Sequence, residues 1–273
     1  MRENTRKIFI YTALACEAKP LVNYFNLKKD VTVQQFAVYL SEDICLTVTG
    51  LGKSAMAAGV AYTQALFASG EPLLMLNIGI ASHKNHPLGC LFLIDKITDN
   101  DSQRSYYPSL ISTLSCATDS ISTLSMPQFT YDQSCLCDME ASAFYETAVR
   151  FASSEYIYCL KVISDNKSSP AENILAKQVC LLIEKHIPIV ELLLVRAFSD
   201  GASKIRPESS LFDQIIQRYH FTFNEKRQLK SQLSRWNIVT NYQCLEFDGV
   251  SLNRAKDVLR WIDIKIHETD FIL

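Results

Sequence analysis

The sequence predicts an α/β domain over residues 1–200, its sheet covered by helices on both faces, followed by a helical appendage over residues 201–273. Three observations predict this. The candidate strands are apolar throughout rather than alternating, as expected of strands buried on both faces. They alternate with stretches of helical spacing, the pattern of α/β domains. After about Gly201 the apolar runs give way to capping signals and amphipathic spacing.

Taken in order, Lys7 to Leu14 reads as a buried strand, followed by a helix from about Glu17 to Phe25 that tolerates Pro20 in its first turn. Gln35–Leu40 and Ile44–Thr49 read as strands joined by the polar turn Ser41-Glu42-Asp43. Gly50-Leu51-Gly52 leads into a helix of small residues, Ser54–Ala68, stopped by Gly70. Leu73–Ile78 is an all-apolar strand running into Gly79-Ile80-Ala81-Ser82, and Cys90–Ile97 is another strand. Met139–Phe151 has helical spacing, Tyr156–Ile163 is a strand, and Ala171–Lys185 is a helix. In the appendage, Thr222 to Glu225 fits a capping box, and Leu229, Leu233 and Trp236 share one helix face. A second helix from Ser251 aligns Ala255, Val258, Leu259 and Ile262. Such stripes must be buried, either on the α/β domain or on a partner, and docking on the domain is expected.

Composition narrows the function. The chain has 273 residues, 48% hydrophobic and 21% charged, which excludes a disordered chain. Its net charge of -2 argues against a protein that grips nucleic-acid phosphates. There are nine cysteines but no Cys-x-x-Cys. Cys45, Cys159 and Cys180 lie in apolar runs and read as buried, reduced thiols of a cytoplasmic protein. The apolar stretch after Lys7 is about eight residues long and runs straight into Glu17, Lys19 and Pro20. It reads as a first strand rather than a leader. No apolar run approaches a membrane span.

Several motifs fail on inspection. Gly50-Leu51-Gly52-Lys53-Ser54 ends like a phosphate loop, but Thr47 stands where the first glycine is required and Ala55 spoils the dinucleotide pattern. His83 and His86 could share a metal, but no neighbour in sequence completes the set, so neither metal nor cofactor is expected. No Gly-x-Ser-x-Gly elbow occurs. Three carboxylates stand out instead. Glu17 and Asp165 directly follow apolar strands, where open α/β sheets bind ligands, and Glu140 opens a helix. Capping of a helix by its own carboxylate competes for each.

These residues resemble the nucleoside phosphorylase and nucleosidase superfamily over roughly residues 7 to 199. The motifs are Ala13-Leu14-Ala15-Cys16-Glu17, Gly50-Leu51-Gly52-Lys53, Asn77-Ile78-Gly79-Ile80-Ala81, Asp138-Met139-Glu140-Ala141 and Ile163-Ser164-Asp165, in family order. The resemblance implies a mixed central sheet flanked by helices. It implies that Glu17 activates water and that Asp165 protonates the purine. It also implies that Met139 and Glu140 hold ribose, with Gly79, Ile80 and Ser164 lining the substrate. Phe129 is a candidate for stacking on the base, with an ordinary core aromatic as the alternative.

Asn77 stands where phosphorylases carry a phosphate-binding arginine, and Ala13–Glu17 lacks their Gly-Asp-Pro-type loop; both favour water as nucleophile. Three departures remain. Ile80 replaces a hydroxyl residue, Lys161 replaces an arginine, and only about 60 residues separate Gly79 from Glu140. The implied activity is hydrolysis of the N-glycosidic bond of an adenosine-type nucleoside or thionucleoside by a homodimer, without nucleic-acid or membrane partners. Phosphorolysis, or a nucleoside-binding regulatory module without turnover, are the alternatives.

Overall fold

A computed structural model describes residues 7–68, 73–110, 116–127, 130–204, 208–240, 245, 252 and 254–268. It divides into two compact units, residues 1–198 and 199–273.

The first unit is built on one mixed sheet. Its strands are β1 (Ile8–Thr12), β2 (Lys28–Lys29), β3 (Ala37–Leu40), β4 (Ile44–Val48), β5 (Leu74–Ser82), β6 (Leu91–Asp99), β7 (Ser105–Tyr106), β8 (Ala117–Thr123), β9 (Leu136–Asp138) and β10 (Ile157–Asp165). The helices are α1 (Ala15–Tyr24), α2 (Lys53–Phe67), α3 (Ala141–Ala148), α4 (Ala176–Glu184) and α5 (Ile187–Lys204). β1 lies parallel between β4 and β5, and β5 lies parallel to β10. β10 then runs antiparallel to β6, β6 parallel to β8, and β8 parallel to β9, whose Cys137 returns to Ser82 of β5. Five strands, β5, β10, β6, β8 and β9, therefore close a ring, and β1, β4, β3 and β2 extend from it as an open wing.

Alternation along β1 explains why both faces are covered. Phe9 and Tyr11 enter a core with Met56 and Val60 of α2 and Phe144 of α3. Ile10 enters the opposite core with Ala18 and Leu21 of α1, Ile183 of α4 and Val190 of α5. Each strand residue thus meets a helix, which is why these strands read as unbroken apolar runs.

Several elements differ from the sequence expectation. β5 does not end at Ile78 but continues to Ser82, since its far half pairs with β10 after β1 has ended. The segment expected as one helix from Ala171 is a short 3-10 turn, Ala171–Asn173, followed by α4. β8 has the sequence Ala-Thr-Asp-Ser-Ile-Ser-Thr and shows no apolar run, so its place in the ring is not visible in its pattern. Cys45 and Cys159 are buried as expected, whereas Cys180 is half-buried and its thiol donates to the Cys16 carbonyl at 3.1 Å. The eight cysteines among the described residues are free thiols.

The second unit contains α6 (Glu208–Arg218), α7 (Phe223–Val239) and α8 (Ala255–Glu268). Thr222 caps α7, with its backbone N–H donating to Glu225 at 2.9 Å, which completes the predicted box. Leu229, Leu233 and Trp236 of α7 pack with Val258, Leu259 and Ile262 of α8 and Ile215 of α6. The two stripes are buried against each other, an outcome that the period of either helix alone does not reveal. Ser251, the expected start of the last helix, lies outside the described residues.

Candidate active site

Glu17 reaches the end of the sheet because β1 stops at Thr12 and α1 begins at Ala15. It is the third residue of that helix, and its Oε2 accepts the N–H groups of Ala13 at 3.0 Å and Leu14 at 2.8 Å. This is the capping role expected of a first-turn carboxylate. Its Oε1 does something further, accepting the N–H of Ile80 on β5 at 2.9 Å. Burial pushes the Glu17 pKa up, opposed by these three N–H groups and by the charge of Lys161. Gly79 makes the arrangement possible: a Cβ there would stand 2.8 Å from Glu17 Oε1.

β9 delivers the second group. Asp138 is its last residue and accepts from the Thr123 hydroxyl at 2.9 Å and from the Ala141 N–H at 2.8 Å. The latter bond starts α3 at Ala141, so Met139 and Glu140 precede the helix that was expected to contain them. Glu140 is buried, and its Oε1 accepts the N–H of Gly52 at 2.7 Å. Gly50 and Gly52 have φ of +89° and +94°, so the glycine turn that resembles a phosphate loop presents its N–H to a carboxylate. Beside it Lys53 pairs with Asp99 at 2.6 Å and Asp101 at 2.8 Å.

Lys161 accounts for how three acids share this space. It lies in β10, is only 2% exposed, and pairs with Asp138 at 2.8 Å. Burial alone would lower its pKa, but the charge of Asp138, with Cys159 and Glu140, outweighs burial and holds the ammonium protonated. Burial, and then the charge of Asp138, push Glu140 up to about 7, with Lys161 and the Gly52 N–H pulling the other way. Lys161 is thus the positive charge toward which Glu17, Asp138 and Glu140 are arranged.

Asp165 ends β10. Its Oδ1 accepts from the Ser164 hydroxyl at 2.5 Å and its Oδ2 from the Tyr131 hydroxyl at 2.9 Å. The Tyr131 oxygen in turn accepts the Ala171 N–H at 2.9 Å. Tyr131 is buried and sits at φ +52°, a left-handed conformation uncommon for a residue with a bulky side chain. Nothing in the sequence around Tyr131 marks this role; only the positive φ of the folded chain and the paired hydroxyl do.

One cleft brings Glu17, Ile80, Met139, Glu140, Ser164 and Asp165 together. Leu51, Met126 and Pro127 also line it. Gly79 is not among the lining residues; it lies behind Glu17. Phe129 falls outside the described residues. Asn77 is buried within the sheet, where its amide donates to the Tyr11 carbonyl at 3.1 Å and its oxygen accepts from the Cys159 thiol at 3.5 Å. It joins β1, β5 and β10 rather than facing the cleft.

His83 and His86 do acquire the carboxylate that their sequence neighbourhood lacks. The side chains of His83, His86 and Asp119 come within 4.8 Å of one another, and His86 meets Asp119 at 2.9 Å. However, His83 Nδ1 accepts two backbone N–H groups, from Asn85 at 3.0 Å and His86 at 2.8 Å. Its other nitrogen must then hold the proton, and it faces the Ser134 carbonyl at 3.2 Å. Both nitrogens are committed, so the ring anchors the loop.

Comparison with solved structures places this architecture. An MTA/SAH nucleosidase superposes with a TM-score of 0.57 at 14% identity, over 69% of this chain and 96% of that one. The fold is that of the nucleosidases. The same nucleosidase fold is found in a futalosine hydrolase mutant of Helicobacter pylori strain 26695 (TM-score 0.56, 11% identity, 70% of this chain and 100% of that one). It also appears in the 5'-methylthioadenosine/S-adenosyl homocysteine nucleosidase of Campylobacter jejuni (TM-score 0.55, 15% identity, 68% and 96%). No protein-family model matches the chain, and no curated protein matches it. Among the described residues, no helix is long and apolar enough to cross a membrane.

Proposed function

We propose that this chain is a nucleosidase that hydrolyses the N-glycosidic bond of an adenosine-type nucleoside or thionucleoside. The observation that carries the reading is the convergence of Glu17, Glu140 and Asp165 in one cleft at the ends of β1, β9 and β10. Departure of a purine leaves positive charge on the sugar, and the base leaves well only when protonated. Asp165 in its protonated form supplies that proton, with the Ser164 and Tyr131 hydroxyls fixing its plane. Glu140 in its ionised form accepts from the ribose hydroxyls and faces the developing charge, and Met139 packs beside the sugar. Glu17 takes the proton from the attacking water. Ile80 contributes its backbone N–H to Glu17, so replacing a hydroxyl residue there leaves this anchor intact.

Water is favoured over phosphate because neither nearby candidate is free to hold a phosphate. Asn77 is consumed inside the sheet, and Lys161 is paired with Asp138. The proposal includes a homodimer in the cytoplasm. The deciding experiment incubates the purified protein with methylthioadenosine, S-adenosylhomocysteine, adenosine and inosine, with and without phosphate, and measures free base. Release without phosphate, abolished by Asp165→Asn, is expected. Base released only when phosphate is present overturns hydrolysis, and micromolar binding without release identifies a binding module instead. Light scattering at the monomer mass would refute the dimer.

A further inference from the structure

Cys135 lies in the bend just before β9, and Cys137 lies within that strand, where it lines the cleft. Both sulfurs converge on one atom, Oε1 of Gln133, at 3.5 Å and 3.4 Å. Cys137 also reaches back toward its neighbour, its thiol lying 3.9 Å from the Cys135 carbonyl oxygen. Both residues are half-buried, so a small reagent can reach them, whereas Cys45 and Cys159 are sealed in the core. Cys16 and Cys180 also lie close, the Cys180 thiol donating to the Cys16 carbonyl, but their sulfurs share no acceptor among the contacts described. Among the described residues, 135 and 137 are the pair whose thiols share one acceptor.

We propose that Cys135 and Cys137 are a redox dithiol at the edge of the cleft, which reacts with low-molecular-weight disulfides of the glutathione class to form an intramolecular disulfide. The Cys135 thiolate attacks one sulfur of the reagent, forming a mixed disulfide and expelling the first thiolate. Cys137 loses its proton, attacks the Cys135 sulfur and expels the second. The protein loses two electrons and two protons, and the reagent leaves as two thiols, so no further oxidant is required. The neighbouring Cys137 thiol draws the Cys135 pKa down to about 7, which favours the thiolate of the attacking group. Cys137, pushed up by the same contact, keeps its proton until the mixed disulfide has formed.

Closure has a mechanical consequence. Bridged cysteines hold their sulfurs about 2.05 Å apart, so closing the bond takes both thiols off Gln133 Oε1. Forming the bond therefore fixes the bend at the entry to β9. Cys137 is paired there with Ser82 of β5 and Ser122 of β8, and Asp138 and Glu140 follow directly. Oxidation thus acts directly beside the cleft's acidic edge.

The test uses the full-length protein, reduced and then equilibrated with graded ratios of glutathione disulfide to glutathione. Each sample is acid-quenched, alkylated, digested and weighed. The peptide containing residues 135 and 137 is expected to lose two hydrogens and to resist alkylation, with recovery on reduction. Cys137→Ser is expected to trap a glutathione adduct on Cys135. Cys135→Ser is expected to remove the oxidised form and leave base release by the reduced protein unchanged. Full alkylation of both thiols under strongly oxidising ratios overturns the proposal, as does a persistent glutathione adduct on the wild-type protein. A second readout, at least a tenfold loss of base release on oxidation, rests on the nucleosidase reading. If no base is released under any condition, that reading fails while the mass measurement still decides the dithiol.

Discussion

Replacing Gly79 with alanine adds one methyl group and should disable the site. The new Cβ would lie 2.8 Å from Glu17 Oε1, whereas ordinary contact begins near 3.4 Å, so the oxygen must move by about 0.6 Å. A carboxylate at the end of a flexible side chain could normally retreat at little cost. This one is pinned by the N–H groups of Ala13 and Leu14 on one oxygen and of Ile80 on the other. Retreat breaks the Ile80 bond, and a hydrogen bond to a charged, buried acceptor is worth roughly 1.5–3 kcal/mol. For a domain of this size that corresponds to a fall in melting temperature of about 4–10 °C. Displacing Glu17, the group proposed to activate water, by even part of an ångström is expected to lower kcat by roughly 100-fold. Thermal unfolding and base release from the preferred nucleoside, measured on Gly79→Ala and wild type, test both numbers. A variant with wild-type stability and turnover would show that Glu17 is neither pinned nor placed by Gly79, and the reasoning would be wrong.

Other perturbations separate the remaining groups. Glu140 is held up to about 7 in the folded chain, against 4.5 when unfolded. Its contribution to stability is therefore complete below about pH 4.5 and is lost as pH rises through about 7, worth up to about 3 kcal/mol. Unfolding curves between pH 5 and 8 should show this slope in wild type and lack it in Glu140→Gln. The same group predicts an acidic limb near pH 7 in kcat/KM, and a wild-type profile flat from pH 5.5 to 8 would contradict it. Lys161→Met strands Asp138 as a buried, unpaired charge, which should cost about 3–5 kcal/mol. Unchanged denaturant midpoints for this variant would show that the ion pair is dispensable. Tyr131→Phe removes the donor to Asp165 Oδ2 and the acceptor for Ala171 N–H, at about 1–3 kcal/mol. It should lower kcat about tenfold with little change in KM; a KM effect alone would make Tyr131 a binding residue.

How much of this could be read from the chain depends on the scale of each signal. β1, β5 and β10 are buried on both faces, so composition alone marks them, and the carboxylates at or just beyond their ends follow by position. β8 and β9 carry no such signature, because β8 is polar along most of its length and β9 is three residues long. Their pairing depends on ring closure, a property of the whole chain. Glu140 was visible but its setting was not, since the bond from Ala141 N–H to Asp138 starts the helix two residues later than the periodicity suggests. Lys161 did leave a trace: a lysine inside Tyr-Cys-Leu-Lys-Val-Ile-Ser-Asp implies a buried partner. Which acid answers it is a matter of tertiary contact. Tyr131 acts through a backbone angle that has no sequence pattern, and Gly79, though part of a visible motif, acts through an absent methyl group behind Glu17 that only the fold reveals.

The closed ring also determines when the cleft can exist. β5 and β10 pair from Met75 with Ile157 to Ser82 with Asp165, so this long parallel contact is made across some 80 intervening residues. Pairings this distant form slowly, because much chain entropy must be surrendered before any contact compensates. The wing of β1, β3 and β4 can assemble from neighbouring sequence and bring Glu17 into place, yet it has nothing to set opposite that residue. Asp165 and Glu140 arrive only when the ring shuts. The assembled cleft is therefore a late event of folding. Any ligand that bound the cleft would act as a clasp on the slowest seam of the sheet, protecting the amides of β5 and β10 from exchange more than those of the wing.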